Sequence, residues 1–274
     1  MNLNNEKFDV IILAGQSNAE GNGIRNTGEE VINENVYQLI DINPATIRDE
    51  NGKAVLDITV PTKMRVEIAH ERESVDKKTH FADFSETFAD RYVKEFLKNG
   101  RKVLIVKAAV GGSGFAKEQW GIGKPLLLRL YEMVDYALSL NKENRVVALL
   151  WHQGEHDAFE NPQFNSQERY DFYFNNFTDQ TKEIRSRYNH ADFPVITGEF
   201  VNDWAGKWKE QCDTVERALK DACTKLGKAD NVSSEGLLSN DQSIHNGDDI
   251  HFCADSVYEL GRRYYDSYKK IIKG

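Results

Sequence analysis

The chain alternates between short runs that are apolar throughout and longer stretches in which apolar residues recur every three or four positions. Phe8–Leu13, Val103–Val110 (VLIVKAAV), Val146–Trp151 (VVALLW) and Pro194–Phe200 (PVITGEF) are runs of the first kind and predict buried strands. Amphipathic helices fall between them. One opens where Asp83 and Glu86 have capping-box spacing, carries Phe88, Tyr92, Val93, Phe96 and Leu97 on one face, and stops before Gly100. A second opens at Pro125, with Leu127, Leu130, Tyr131, Val134 and Leu138 on one face. A third spans about Gln167–Tyr188, capped by Asn165 with Glu168, and its stripe is Tyr170, Tyr173, Phe174, Phe177, Ile184 and Tyr188. A fourth covers Trp208–Leu226 and ends at Gly227, and the last runs about Ala254–Ile272.

Strands that are apolar on both faces and alternate with helices predict an α/β fold whose mainly parallel sheet is covered on both sides. Right-handed crossovers then bring the strand-to-helix loops to one edge. The pattern lapses from Gly21 to about His80. Within that segment Val36–Ile40 and Ala54–Val60 read as strands, with turn signals at Asn43-Pro44 and Asp49–Gly52. So long a weakly patterned segment is functional or an insertion. No repeat or linker breaks the rest, so residues 1–274 read as one domain.

Charge narrows the partners. The net charge of −9 argues against nucleic acid, which needs a basic face. No run approaches the ~20 apolar residues of a membrane span. The start of the chain, MNLNNEKFD, lacks the basic and apolar regions of a signal peptide, so a cytoplasmic location is expected. Cys212, Cys223 and Cys253 show no metal-ligand spacing and read as buried small hydrophobes in a reducing compartment. The oligomeric state is left open.

Chemistry collects at the ends of the predicted strands. Gln16-Ser17-Asn18 follows the first, Gly111-Gly112-Ser113-Gly114 the second, and Gln153-Gly154-Glu155 the third, while Asp248-Asp249-Ile250-His251 precedes the last helix. A serine hydrolase needs a hydroxyl, a base to take its proton, an acid to orient the base, and donors where oxyanion charge develops. Ser17 fits the first role, His251 the second and Asp248 the third. The Ser17 N–H, a glycine N–H and the Gln153 amide fit the last.

Each part has another reading. Ser17 or Asn18 fits a helix cap. The glycine run lacks the lysine of a phosphate loop, which argues against a nucleotide cofactor. His152 and His156, with Glu155 and Asp157, are candidate metal ligands, but their HxxxH spacing straddles a strand end and Gly154, so they would not share a helix face. His245, with Asp241 and Asp248 nearby, is a rival base in a loop. No metal or cofactor is expected.

GQSNA at Gly15–Ala19, GGS at Gly111–Ser113, WHQGEHD at Trp151–Asp157 and DDIH at Asp248–His251 resemble, in order, four blocks of the SGNH (GDSL-like) hydrolase superfamily. Within it they resemble the carbohydrate-esterase branch of sialate O-acetylesterases and acetylxylan esterases, which has GQSN in place of GDS and HQGE in place of GxND. The resemblance implies a three-layer α/β/α, flavodoxin-like sandwich and metal-free hydrolysis of O-acetyl esters on sugars; the missing secretion signal points to a small sugar or oligosaccharide rather than a polymer as the substrate. It implies a triad of Ser17, Asp248 and His251. It also implies an oxyanion hole of Ser17, Gln153 and one glycine of the Gly111-Gly112 pair, taken as Gly112. Gln16, Asn18, Gly111, Glu155 and His156 remain as substrate-binding or supporting residues. His156 stands where the branch often has a small residue, and Ile24–His80 matches none of its blocks, so the particular sugar is not implied. Two other functions stay open. One is an inactive carbohydrate-binding protein on the same fold, against which the full set of triad residues argues. The other is an esterase or thioesterase for a non-sugar substrate, against whose apolar channel the polar and aromatic Asn18, Asn22, Trp120, His152 and His156 argue.

Overall fold

The first apolar run becomes the centre of the molecule. The computed structural model describes residues 5–25, 30–42, 46–48, 54–56, 61–74, 76–188 and 193–274, with the backbone alone at 46–48 and 54–56. In it, β1 (Phe8–Gly15) is buried at every position. In chain order there follow α1 (Ser17–Glu20), β2 (Gly23–Arg25), β3 (Val36–Asp41), β4 (Thr46–Arg48), β5 (Ala54–Leu56), β6 (Met64–Ile68), β7 (Arg72–Glu73) and β8 (His80–Ala82). Next come α2 (Ser85–Glu95), β9 (Lys102–Lys107), α3 (Pro125–Ser139), β10 (Arg145–His152), α4 (Glu155–Phe159), α5 (Ser166–Arg187) and β11 (Val195–Gly198). The chain closes with α6 (Asn202–Lys207), α7 (Lys209–Leu226), β12 (Ala229–Val232), α8 (Asn240–Ile244) and α9 (Ala254–Lys273).

The main sheet has the order β12-β11-β10-β1-β9-β3-β6 and is parallel except where β6 meets β3. Five of its strands, β9-β1-β10-β11-β12, keep the flavodoxin order, in which the chain reverses direction beside the first strand and leaves a crevice there. β3 and β6 extend the sheet past β9. Both come from the weakly patterned segment, which also folds into a small antiparallel sheet, β2-β8-β7, against α9.

Alternation along the strands sorts side chains into two helix layers. On β10, Trp151 packs on Phe177 of α5, and the next residue, His152, packs on Phe84 and Phe252 at the foot of α2 and α9. On β11, Thr197 touches Cys223 of α7, whereas a Cβ on Gly198 would lie 2.8 Å from the Tyr264 hydroxyl of α9. Helices α2 and α9 therefore cover one face, and α3, α5 and α7 the other. This is the three-layer arrangement that the motifs implied.

Several boundaries moved. The strand expected over Val103–Val110 ends at Lys107, and that expected over Pro194–Phe200 covers Val195–Gly198. The helix expected over Trp208–Leu226 is one helix, α7, starting at Lys209, and a short helix that was not expected, α6, precedes it. Of Ala54–Val60, Ala54–Leu56 is a strand paired with β4, while 57–60 and the turn signals at Asn43-Pro44 and Asp49–Gly52 lie outside the described residues. The Asn165–Glu168 capping box is present. The Asp83–Glu86 box is not. Asp83 accepts from Ser85 N at 2.7 Å, but Glu86 turns to Lys107, whose Nζ lies 2.8 Å from Asp83 and 3.3 Å from Glu86. Burial, with Asp83 close by and Lys107 pulling the other way, pushes Glu86 up to about 8. A buried lysine needs carboxylates more than this helix start needs the second half of a capping box. All three cysteines are buried and free. Among the described residues no helix is long and apolar enough to cross a membrane.

Candidate active site

The crevice beside β1 is where the predicted residues meet. Gly15 pairs with His152 across β1 and β10, at φ +130°, and a Cβ there would lie 2.0 Å from the His152 carbonyl oxygen. A glycine alone lets the strand turn at this point. Gln16 N–H donates to that carbonyl at 2.9 Å, and Ser17 then opens α1, half-buried, its carbonyl accepting from Asn22 Nδ2 at 2.8 Å.

The loop before α9 arrives opposite. His251 Nδ1 faces both Asp248 oxygens, at 2.8 and 3.0 Å. Asn240 Nδ2 donates to Asp248 Oδ2 at 2.8 Å and to the Asn22 carbonyl at 2.9 Å. Burial works to raise the Asp248 carboxyl, but the hydrogen bonds from His251 and Asn240 outweigh it and hold the group below its ordinary value. Asn18 joins the two halves. Its Nδ2 donates to the Ile250 carbonyl at 3.1 Å, and its Oδ1 accepts from Phe252 N–H at 3.1 Å. The peptides on either side of His251 are thus bonded to the residue after Ser17. Among the described residues no hydrogen bond joins the Ser17 hydroxyl to the His251 ring.

Glu155 supports this junction. It is fully buried, and its Oε1 accepts from Asn18 Nδ2 at 2.8 Å while Oε2 has no partner. Burial pushes its carboxyl up, against the Asn18 hydrogen bond. His152 Nε2 lies 3.7 Å from Glu155 Oε1 and is also unpartnered, while Nδ1 meets the Tyr264 hydroxyl at 3.1 Å. Burial alone drops the His152 ring to about 3. His152 is therefore a neutral interior residue.

The glycine loop lies on the other side of Ser17. Gly111 N–H donates to Glu20 Oε2 at 3.1 Å, and a Cβ on Gly111 would sit 3.6 Å from the Ser17 Cβ. Gly112, at φ +68°, has its carbonyl held by Lys117 Nζ at 3.0 Å. Lys117 Nζ also meets His156 Nε2 at 2.6 Å, and burial together with that charge lowers the His156 ring. Among the described residues neither the Ser17 N–H nor the Gly112 N–H has an acceptor.

The Gln153 amide is placed otherwise than expected. Its Nε2 donates to Asp157 Oδ2 at 2.5 Å and faces the Ser113 carbonyl and Gln16 Oε1, both at 3.2 Å. Its Oε1 accepts from the Tyr173 hydroxyl at 3.0 Å. With two amide hydrogens and three acceptors, this arrangement leaves no donor for an oxyanion. Asp157 also accepts from Phe115 N–H and Ala116 N–H, at 3.1 and 2.7 Å, so Gln153 belongs to the framework that holds the glycine loop. Gln16 Oε1 in turn faces His156 N–H at 3.3 Å.

Ser17, Asn18, Glu155, Asp248 and His251 are thus brought together, with Gly111 and Gly112 beside them. His245 is not: it is exposed and left-handed at the end of α8. No group of three or more His, Cys, Asp or Glu able to hold a metal occurs among the described residues. Sequence reasoning missed Asn240, whose buried amide ties the Asp248 loop to Asn22. The only local signal was the Ser239–Gln242 capping box that starts its helix.

Comparison with known proteins agrees in kind. The family model for carbohydrate esterase, sialic acid-specific acetylesterase, matches residues 7–270. Among solved structures, NanS superimposes with a TM-score of 0.73 at 16% identity, covering 98% of each chain. A protein from Arabidopsis thaliana gives 0.65 at 21% identity, over 96% of this chain and 98% of that one. A carbohydrate acetylesterase from Xanthomonas citri gives 0.59 at 15% identity, over 97% of this chain and 57% of the other. Comparison with curated proteins finds none that matches.

Proposed function

Because the chain belongs to the sialic acid-specific acetylesterase family of carbohydrate esterases, and is thereby a carboxylic ester hydrolase, we propose that it removes acetyl groups from sugar hydroxyls with Ser17, His251 and Asp248 as its triad. Ser17 Oγ attacks the acetyl carbonyl, and His251 Nε2 takes the proton. Asp248 holds Nδ1–H and stabilises the imidazolium that forms. The oxyanion is met by the two unpartnered N–H groups, of Ser17 and Gly112. Collapse breaks the ester bond, and His251 passes its proton to the departing sugar oxygen. A water molecule, deprotonated by His251, then releases acetate from Ser17.

The observation that carries this reading is the clasp of Asn18 on both sides of His251, which sets an Asp248-bonded imidazole beside the serine turn. In this mechanism Gln153 is a positioning residue for the glycine loop and Gln16. The test is acetate release from a panel of O-acetylated sugars by wild type and Ser17→Ala. Loss of roughly 10⁴–10⁶ in rate, with an unchanged thermal melt, is the expected result. Turnover that survives in the folded variant refutes the assignment.

A further inference from the structure

A cavity of about 430 Å³ lies between the end of α4, the start of α5 and the junction of α6 with α7. That volume falls within the range of roughly 300–1,000 Å³ usual for small-molecule sites. Phe159 and Trp208 line it, with 39% and 48% of their surface open to solvent. Large apolar side chains left open together at the mouth of a cavity mark a binding surface.

Both rings are held from behind. Phe159 lies edge-on to Trp204 at 6.2 Å, and Trp204 packs on Phe200 at 6.1 Å, both of them buried. Trp208 closes the end of α6, its N–H donating to the Ala205 carbonyl at 3.1 Å. Each ring is also tied to one half of the candidate active site. The His156 ring lies 5.1 Å from that of Phe159, and its Cε1 would be 3.8 Å from a Cβ on Gly112. Lys207, the residue before Trp208, pairs with Asp249, two residues before His251. The cavity is thus continuous with the glycine loop on one side and with the histidine loop on the other.

Its chemistry is that of a neutral, hydroxylated ligand. The two charged residues of the wall, Arg169 and Glu210, are of opposite sign, so the wall carries no net charge. Arg169 donates to the carbonyls of Asp157, Glu160 and Asn161, and Glu210 accepts from the Ser166 hydroxyl at 2.6 Å. Among the described residues no hydrogen bond claims the Trp208 indole N–H or the Gln211 amide. A sugar ring offers a face of C–H groups to an aromatic surface and a rim of hydroxyls to such neutral polar groups.

We propose that this cavity is a subsite for the sugar ring that follows the acetylated one, so that the enzyme prefers an acetylated residue within a glycosidic chain over the free sugar; this rests on the esterase reading above. The following ring stacks on Trp208 and Phe159, and its hydroxyls reach Gln211. These contacts are remote from the ester and alike in ground and transition states, so they act mainly on KM. Aromatic side chains already fixed by packing add little entropic cost on binding.

The experiment uses an O-acetylated pentose, hexose and nonulosonic acid, each as the free sugar and at the end of a chain of two to four rings. It reads the ratio of kcat/KM, chain over free sugar, within the best-turned-over series. Wild type is expected to favour the chain by about 10-fold, mostly through KM, the size of one aromatic contact. W208A is expected to bring the ratio near one, and W208F to keep most of it. If W208A does not fold, W208L, which keeps apolar bulk without an aromatic face, takes its place. A wild-type ratio near one, or a variant ratio equal to that of wild type, overturns the subsite and leaves the esterase reading standing. If no sugar acetate is hydrolysed, the esterase reading falls, and calorimetric titration of the unacetylated chains decides the subsite alone. Binding that weakens about 10-fold in W208A then supports it, and equal binding or none overturns it.

Discussion

Asn18 holds the two peptide groups that flank His251, donating to one at 3.1 Å and accepting from the other at 3.1 Å. Glu155 fixes which way the amide faces, because its carboxylate oxygen faces Nδ2 at 2.8 Å. Ser17 and His251 thus share one frame. Asn18→Ala is expected to lower kcat by about 10², the cost of misplacing a reacting group by about 1 Å, with little change in KM. Steady-state kinetics on an acetyl ester checks this. A rise in KM at constant kcat would place Asn18 in substrate binding instead.

Gln153→Ala separates two roles. As a positioning residue, its loss leaves buried Asp157 without its 2.5 Å partner. The expected cost is about 2 kcal/mol, or a fall of about 5 °C in Tm, with a modest drop in kcat. As an oxyanion donor, it would cost roughly 10²–10³ in kcat with Tm unmoved. Melting and kinetics on the same preparation distinguish the two.

His152 makes the fold acid-sensitive. In the native state burial drops its ring to about 3, whereas in the unfolded chain it protonates at its ordinary value of 6.5. Between those values the unfolded state binds the extra proton. The stability is fully present above 6.5 and is lost as pH falls toward 3, by about 2 kcal/mol at about pH 5. His152→Gln should flatten this part of the Tm-against-pH curve. A wild-type curve level from about pH 7 to 5 would contradict it.

What the sequence made legible follows physical range. β1 is apolar at nearly every position, and Asp248 and His251 are three residues apart, so local pattern sufficed for both. The direction of the Gln153 amide depends on Asp157, which is itself held by Phe115 and Ala116 from a distant loop. Glu86 had the spacing of a cap, but Lys107 from another strand outcompeted it. β12 reads Ala-Asp-Asn-Val and is mostly half-buried, so no apolar run announced it. β7 is two residues of exposed strand, too short for periodicity to register.

Gly15→Ala should be among the most damaging single methyl additions. The new Cβ would meet the His152 carbonyl at 2.0 Å, in a backbone conformation that L-residues rarely adopt. A loss of about 3 kcal/mol or more is expected, together with activity, since the Gln16 N–H bond to that carbonyl would have to break. Chemical denaturation measures it, and a wild-type midpoint would show that the turn relaxes freely.

The bond from Phe252 N–H to Asn18 spans 234 positions of the chain. During synthesis the serine turn leaves the ribosome first, and the histidine that would activate it follows only after nearly the whole sheet has been made. Under the proposed triad, a nascent chain would carry an inert hydroxyl for almost all of its elongation. The appearance of esterase turnover would then time the docking of α9, and the enzyme would serve as its own clock for the last step of its folding.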